Sequence, residues 1–287
     1  MANIKLIPIL RDRTGAGMMD CRKALDACND DVEKAIDWLR ENGIAKAAKK
    51  SGRIAAEGLS LVAVNGNDAA LVEVNCETDF VCANADFKAL LKKIANVIVN
   101  NKPVDMDAAN ALVVEDGQTV ADLVVAATAK IGEKISFRRF VVVSKNDDEV
   151  FGTYLHAGGK KGAVVVVKGD EEVAANMGMQ IVATVPTYIK KTEVPSEYVE
   201  KELQIRIEAA NAQGRPLNEK AYAGMRNKIA DEVSLESQEL ILEDKVTVGS
   251  YLARVHAEVK QMAYYIVGEG IEKKQEDFAA EVMSQIK

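Results

Sequence analysis

Asn75 to Phe87 hold most of the side chains in this sequence that could act on another molecule. The segment reads Asn-Cys-Glu-Thr-Asp-Phe-Val-Cys-Ala-Asn-Ala-Asp-Phe, where an apolar strand (Ala69 to Val74) gives way to a helix (Asp86 to Val99). Asp79 and Phe80 set a carboxylate beside a large ring at that corner, a shape suited to wedging into another protein. Taken alone, such a Phe reads more readily as the first core residue of the helix; the wedge reading draws on the rest of the chain. A third chemistry is nucleophilic, pairing Cys76 with the distant His156, since such pairs assemble in space rather than in sequence.

The other reactive residue types argue against bond-making chemistry. His156 ends a strand at a turn and His256 falls within a helix, neither with a second His or Cys at a zinc-ligand spacing. Cys76 and Cys82 have no further Cys pair to complete a metal site, so they read as buried, inert thiols. No G-x-x-x-x-G-K-[ST] phosphate loop is present. The chain reads as a binding protein with no cofactor and no metal. Two other classes stay open at this level: a generic adaptor, and a small-molecule enzyme that uses the cysteines.

Composition sets the frame. With 287 residues, two or three globular units are expected. Hydrophobic content of 48% and charge of 28% are those of a soluble folded chain. A net charge of -7 opposes direct nucleic-acid binding, which needs clustered Lys and Arg. The basic run Lys46-Ala-Ala-Lys49-Lys50-Ser-Gly-Arg53 reads as a solvated helix face. No apolar stretch is long enough for a membrane span, and the N-terminus lacks the build of a signal peptide. Four cysteines in so long a chain make no disulfide framework, so a reduced, cytoplasmic setting is expected.

Periodicity supplies the elements that position these residues. Ile4 to Arg11, Met18 to Cys28 and Asp31 to Asn42 repeat apolar residues at helical spacing, with a Gly15–Gly17 turn and Gly43 as terminator. Three short helices resemble a ubiquitin-associated module, followed by a partly helical linker, Ala45 to Glu57. Leu59–Asn65 and Ala69–Asn75 form a hairpin around Gly66, and the plan recurs at Val150–His156 and Ala163–Lys168 before a helix from Glu171 to Val185. Thr119-Val120 and Thr247-Val248 each open a helix leading to a strand, both members offset by 128 positions without a gap. The hairpins are offset by about 92, which requires an insertion of 36 in the second copy.

That insertion falls at Pro195 to Val233. One stripe is Val199, Leu203 and Ile207, the other Leu217, Ala221, Met225 and Ile229, joined by Gly214-Arg-Pro216. It reads as a protruding antiparallel coiled-coil hairpin without a core of its own. The expected fold is α+β. Residues 1–54 are the three-helix head with the start of the linker, 55–143 the first core subdomain, 144–194 with 234–267 the second. Both copies carry antiparallel sheets. Residues 195–233 are the helical hairpin, and 268–287 are a C-terminal helical module around Ile271, Phe278 and Val282.

Several segments resemble the elongation factor Ts family. They are Arg13-Thr-Gly-Ala-Gly-Met-Met-Asp-Cys21 with Lys23-Ala-Leu25, Asn75-Cys-Glu-Thr-Asp-Phe-Val81, Lys130-Ile-Gly-Glu133, Val267-Gly-Glu-Gly-Ile-Glu-Lys273 and Asp277-Phe-Ala-Ala-Glu-Val282. The resemblance spans the chain in order. It implies a non-enzymatic translation factor that exchanges guanine nucleotide on elongation factor Tu, met in its GDP-bound and nucleotide-free forms. By the same resemblance Thr78, Asp79, Phe80 and Val81 dislodge the partner's magnesium ion. Ile131 and His156 line neighbouring contacts, and Arg11, Met18 and Met19 hold the nucleotide domain. Pro8 stands where well-known members carry Lys, which suggests a helix beginning there and one electrostatic contact fewer.

Overall fold

The computed structural model of the chain describes residues 2–114, 117–214 and 218–272. Its first elements are α1 (Leu6–Thr14), α2 (Met18–Ala27), α3 (Val32–Lys50), β1 (Glu57–Asn65), β2 (Asp68–Cys76), α4 (Asp79–Ala83), α5 (Ala85–Asn101), α6 (Met106–Ala111), α7 (Val120–Ile131) and β3 (Ser136–Ser144). There follow β4 (Val150–His156), β5 (Lys161–Lys168), α8 (Glu171–Thr184), α9 (Ser196–Ala212), α10 (Glu219–Glu232), α11 (Val248–Arg254) and β6 (Glu258–Ile266). Two three-stranded sheets, ordered β1-β2-β3 and β4-β5-β6, give the α+β class expected. The C-terminal helix placed around Phe278 and Val282, and the Arg215–Leu217 turn, lie outside the described residues.

Two compact units emerge. The first takes the described residues of Met1–Leu61, Val72–Phe140 and Ile266–Lys287, the second Val62–Leu71 and Val141–Tyr265. In the first, α1 to α3 close over Leu10, Cys21, Ala24, Leu25 and Ala35. Gly15 ends α1 at φ 65, its amide reaching the Arg11 carbonyl at 2.7 Å. Helix α1 starts at Leu6, ahead of Pro8. A proline in the first turn removes an amide that has no intrahelical partner there.

Gly43 does not terminate α3, which runs on to Lys50. A Cβ at Gly43 would lie 3.3 Å from the Ala129 Cβ of α7, so the glycine lets the two helices pack closely. The basic run beyond it is not simply solvated. Lys46 pairs with Asp20 at 2.8 Å, and the Lys50 ammonium donates to the Gly132 carbonyl.

The same unit contains a fully buried carboxylate, Glu73 on β2. Its Oε1 accepts from Arg138 at 3.0 Å, from Asn75 at 3.1 Å and from the Gly268 amide at 2.9 Å; its Oε2 accepts from Arg139 at 2.6 Å. Burial pushes this carboxyl up, but the Gly268 amide and the Arg139 guanidinium outweigh it and hold it below the ordinary range. Arg139 continues to the Ile266 carbonyl at 3.0 Å, which ties the 266–269 segment to β2 and β3. Gly268 sits at φ 76, where a Cβ would fall 2.1 Å from the Ala56 carbonyl oxygen.

In the second unit β5 is buried on both faces, with Ala163 to Val167 all inaccessible to solvent. Ala163, Val165 and Val167 face a core with Met177 and Ile181 of α8, while Val164 and Val166 pack with Ala69, Leu71 and Val143. That explains a continuous Val run where a half-exposed strand would alternate. Gly152 on β4 admits α8 at backbone distance, since a Cβ there would sit 1.9 Å from the Ala174 carbonyl oxygen.

Thr119 and Thr247 both cap helices, accepting from Asp122 and Ser250 amides, as the repeat requires. The gap-free offset of 128 fails beyond them. Helix α7 has 12 residues and α11 only 7, so β3 and β6 begin 122 positions apart, at Ser136 and Glu258. His256 therefore lies in a turn at φ 53, not within a helix. The hairpin α9–α10 does have a small core of its own, Val199, Leu203, Ile229 and Ala230. Arg206–Glu232 and Arg226–Glu200 pairs span its two helices at 2.6 and 2.5 Å.

Glu73→Gln is expected to cost about 3 kcal/mol, the low end for unpairing a buried ion, because both guanidiniums keep some solvent. A carboxylate with a lowered folded pKa contributes stability above its unfolded value of 4.5 that vanishes as pH falls through the folded value. Denaturant titration across that range should show the gap between the two chains narrowing with acid. Excising Pro195–Val233 and closing the ends with a short Gly-containing turn should leave a soluble chain with one cooperative transition. Tyr188 and Leu235 already meet across that gap, the Leu235 amide donating to the Tyr188 carbonyl at 2.9 Å. An insoluble product would place the arm in the core.

Candidate functional site

Strand β2 ends at Cys76, and the chain must turn before α4. The turn is fixed by Glu133, just past the end of α7. Its Oε2 accepts the Glu77 and Thr78 amides at 3.1 and 2.9 Å, and its Oε1 accepts the Thr78 hydroxyl at 2.6 Å. Glu77 answers by accepting the Lys134 amide at 2.5 Å, and Arg53 pairs with it at 3.3 Å. Thr78 is the N-cap of α4, yet its hydroxyl caps nothing because Glu133 engages it. Asn84 ends the short helix and caps α5, accepting the Asp86 and Phe87 amides.

One turn of helix then sorts its side chains by face. Val81 and Cys82 are buried, while Asp79 is exposed and the Phe80 ring is 84% exposed. The core ring of this corner is Phe87, fully buried on α5 with Leu91, Ile94 and Ile98. Phe80 is therefore not the first core residue of the helix.

Met18 and Met19 open α2 with more than half their surface exposed. Arg11 and Met18 line one cleft with Ile7, Pro8, Gly15, Asp86 and Lys130. Lys130 crosses it, pairing with Asp86 at 2.9 Å and covering Gly15 with its aliphatic stem. Met19 is exposed beside that cleft in sequence but does not line it. Ile131, half-buried, closes α7 between Lys130 and Glu133. His156 belongs to the second unit, exposed at the end of β4 with its Nδ1 3.5 Å from the Tyr154 hydroxyl.

Cys76 offers no nucleophile to a substrate, being fully buried with its thiol donating to the Thr78 carbonyl at 3.1 Å. Among the described residues no group of three His, Cys, Asp or Glu could hold a metal ion, and no helix is long and apolar enough to cross a membrane. Periodicity did not point to Glu133 or to Glu73. Their signal was weaker: Glu133 stands in the Lys130–Glu133 motif, and Glu73 is a lone carboxylate inside an apolar strand.

The described residues thus make an α+β chain with a three-helix head, two small sheets and an exposed Asp79–Phe80 corner. A family model described as elongation factor TS matches residues 77–269. The chain is 50% identical over 281 residues to elongation factor Ts of Lacticaseibacillus casei (strain BL23), covering 97% of this chain and 96% of that one. It is 47% identical over 285 residues to elongation factor Ts of Limosilactobacillus fermentum (strain NBRC 3956 / LMG 18251), covering 98% and 97%. The chain belongs to the elongation factor Ts family.

The two rings of the corner should behave oppositely on truncation. Phe80→Ala is expected to shift stability by less than about 0.5 kcal/mol, as for other surface changes. Phe87→Ala should cost about 3–5 kcal/mol by leaving a cavity. Denaturant midpoints of both variants check this, and a large loss from Phe80→Ala would put that ring in the core.

Proposed function

We propose that this chain promotes guanine-nucleotide exchange on elongation factor Tu. It binds the GDP-bound GTPase, displaces magnesium, and holds the nucleotide-free form until GTP enters. The observation that carries this reading is the Phe80 ring, 84% exposed beside Asp79, on a helix whose base Glu133 holds in place. A tip ordered before binding loses little conformational freedom on docking, which favours affinity.

Magnesium is the largest local charge at a nucleotide's phosphates, so moving it loosens GDP. A release ~10⁴-fold faster needs about 5.5 kcal/mol. One buried Phe contributes about 1.5–3 kcal/mol, so the wedge requires support from a wider interface. Arg11, Met18 and Met19 would supply it at the head, with Ile131 and His156 at neighbouring contacts. Val81 and Thr78 would act from beneath, by packing and by the Glu133 bond, while Asp79 and Phe80 reach the partner. By linkage, nucleotide weakens the grip of the factor as much as the factor weakens that of the nucleotide. No covalent bond is made or broken, and the setting is the cytoplasm, where translation occurs.

Release of fluorescent GDP from elongation factor Tu, with and without the chain, tests this. Faster release by the wild type, and acceleration reduced at least about tenfold by Phe80→Ala, is the expected result; tenfold corresponds to about 1.4 kcal/mol, less than a buried Phe contributes. Unchanged release with the wild-type chain would overturn the exchange reading.

A further inference from the structure

We propose that Cys76 and Cys82 form a redox modification site, a dithiol that hydrogen peroxide closes to a disulfide, shifting the Asp79–Phe80 corner. The two sulfurs lie 3.6 Å apart and bracket the Glu77–Val81 segment. Both are thiols in this structure. Cys76 closes β2, the middle strand of its sheet, and is fully buried. Cys82 lies on the five-residue helix α4 and keeps 7% of its surface exposed. Their S–H groups point to the Thr78 and Gly58 carbonyls at 3.1 and 3.3 Å.

Cys82, the less buried of the two residues, reacts first. The Cys82 thiolate displaces at a peroxide oxygen, breaking the O–O bond and leaving a sulfenic acid and one water. The Cys76 sulfur then attacks Cys82, forming the S–S bond as the S–O bond breaks and a second water departs. Each sulfur gives up one electron and one proton, and the peroxide takes both pairs. Cys76 needs no access to solvent, because its target, the Cys82 sulfur, is already in contact. A dithiol reductant reverses the step, the transient behaviour that suits a reducing compartment.

Geometry assigns the consequence. The sulfurs must close to about 2.05 Å, a movement of roughly 1.5 Å. Strand β2 is held by neighbours on both sides, whereas α4 is a single turn, so α4 moves and carries Phe80 with it. Both S–H contacts that seat the corner, to Thr78 and to Gly58, are lost together. An effect on exchange rests on the function proposed above; the disulfide itself does not.

The full-length chain is treated with hydrogen peroxide, then mapped by mass spectrometry without reduction and assayed for GDP release. The expected result is a Cys76–Cys82 cross-linked peptide and an acceleration lowered at least about tenfold, within the roughly 10²-fold that an ångström of misplacement can cost. Dithiothreitol should restore it, and Cys82→Ala should keep its own rate through the treatment. Thiols left unlinked while Cys21 or Cys28 oxidise, or Cys82 carried to sulfinic acid, would overturn the site. A disulfide that forms with exchange unaltered would overturn its coupling to the corner. Reduced protein that never accelerates release would count against the exchange reading alone, since the peptide map reports the disulfide independently.

Discussion

Glu133 holds the Thr78 corner from the far end of α7, and most of the first unit's arrangement converges on that turn. Two amides and a hydroxyl enter one carboxylate, and the Lys134 amide returns the contact to Glu77. Lys130, one turn earlier, bridges Asp86 and covers Gly15 of the head, while Lys50 from α3 reaches the Gly132 carbonyl. Polar contacts from the end of α7 thus reach the ends of α1, α3, α4 and α5. Charge-assisted hydrogen bonds suit this task because they are directional and stronger than neutral ones.

The corner itself is an addition to the repeated plan. Between β5 and α8 the chain spends only residues 169–170, while between β2 and α5 it places residues 77–84 and a helix. Both sheets follow the same strand order, β1-β2-β3 and β4-β5-β6; the extra segment gives the first of them an exposed Asp79 and Phe80. A one-turn helix is too short to be stable by itself. It persists because Val81 and Cys82 are buried beneath it and Glu133 fixes its start.

Glu73 plays the matching part within the sheet. Placing a charge in an apolar strand is costly unless every lone pair finds a donor. Here Arg138, Arg139, Asn75 and the Gly268 amide supply them, and the segment after β6 is held against β2 as a result. Its cost is offset by a specific alignment of strands and tail that apolar side chains of similar size would not define.

Local rules carried much of the fold. Helices with a 3.6-residue apolar stripe, a hairpin around Gly66, helices opening at Thr119-Val120 and Thr247-Val248, and the helical arm were all legible, since each depends on neighbours in sequence. The strand-to-helix corner at Asn75–Phe87, with Asp79 beside Phe80, was legible in the same way. What failed depended on contacts from afar. Gly43 reads as a terminator until Ala129 packs against it; His256 reads as helical until β6 must begin at Glu258. Whether Phe80 filled the core or faced water was undecidable from the segment alone, because a ring after a strand end can do either. Only burial by α5 and the anchoring of Thr78 by Glu133, 55 positions away, settled which ring faces water.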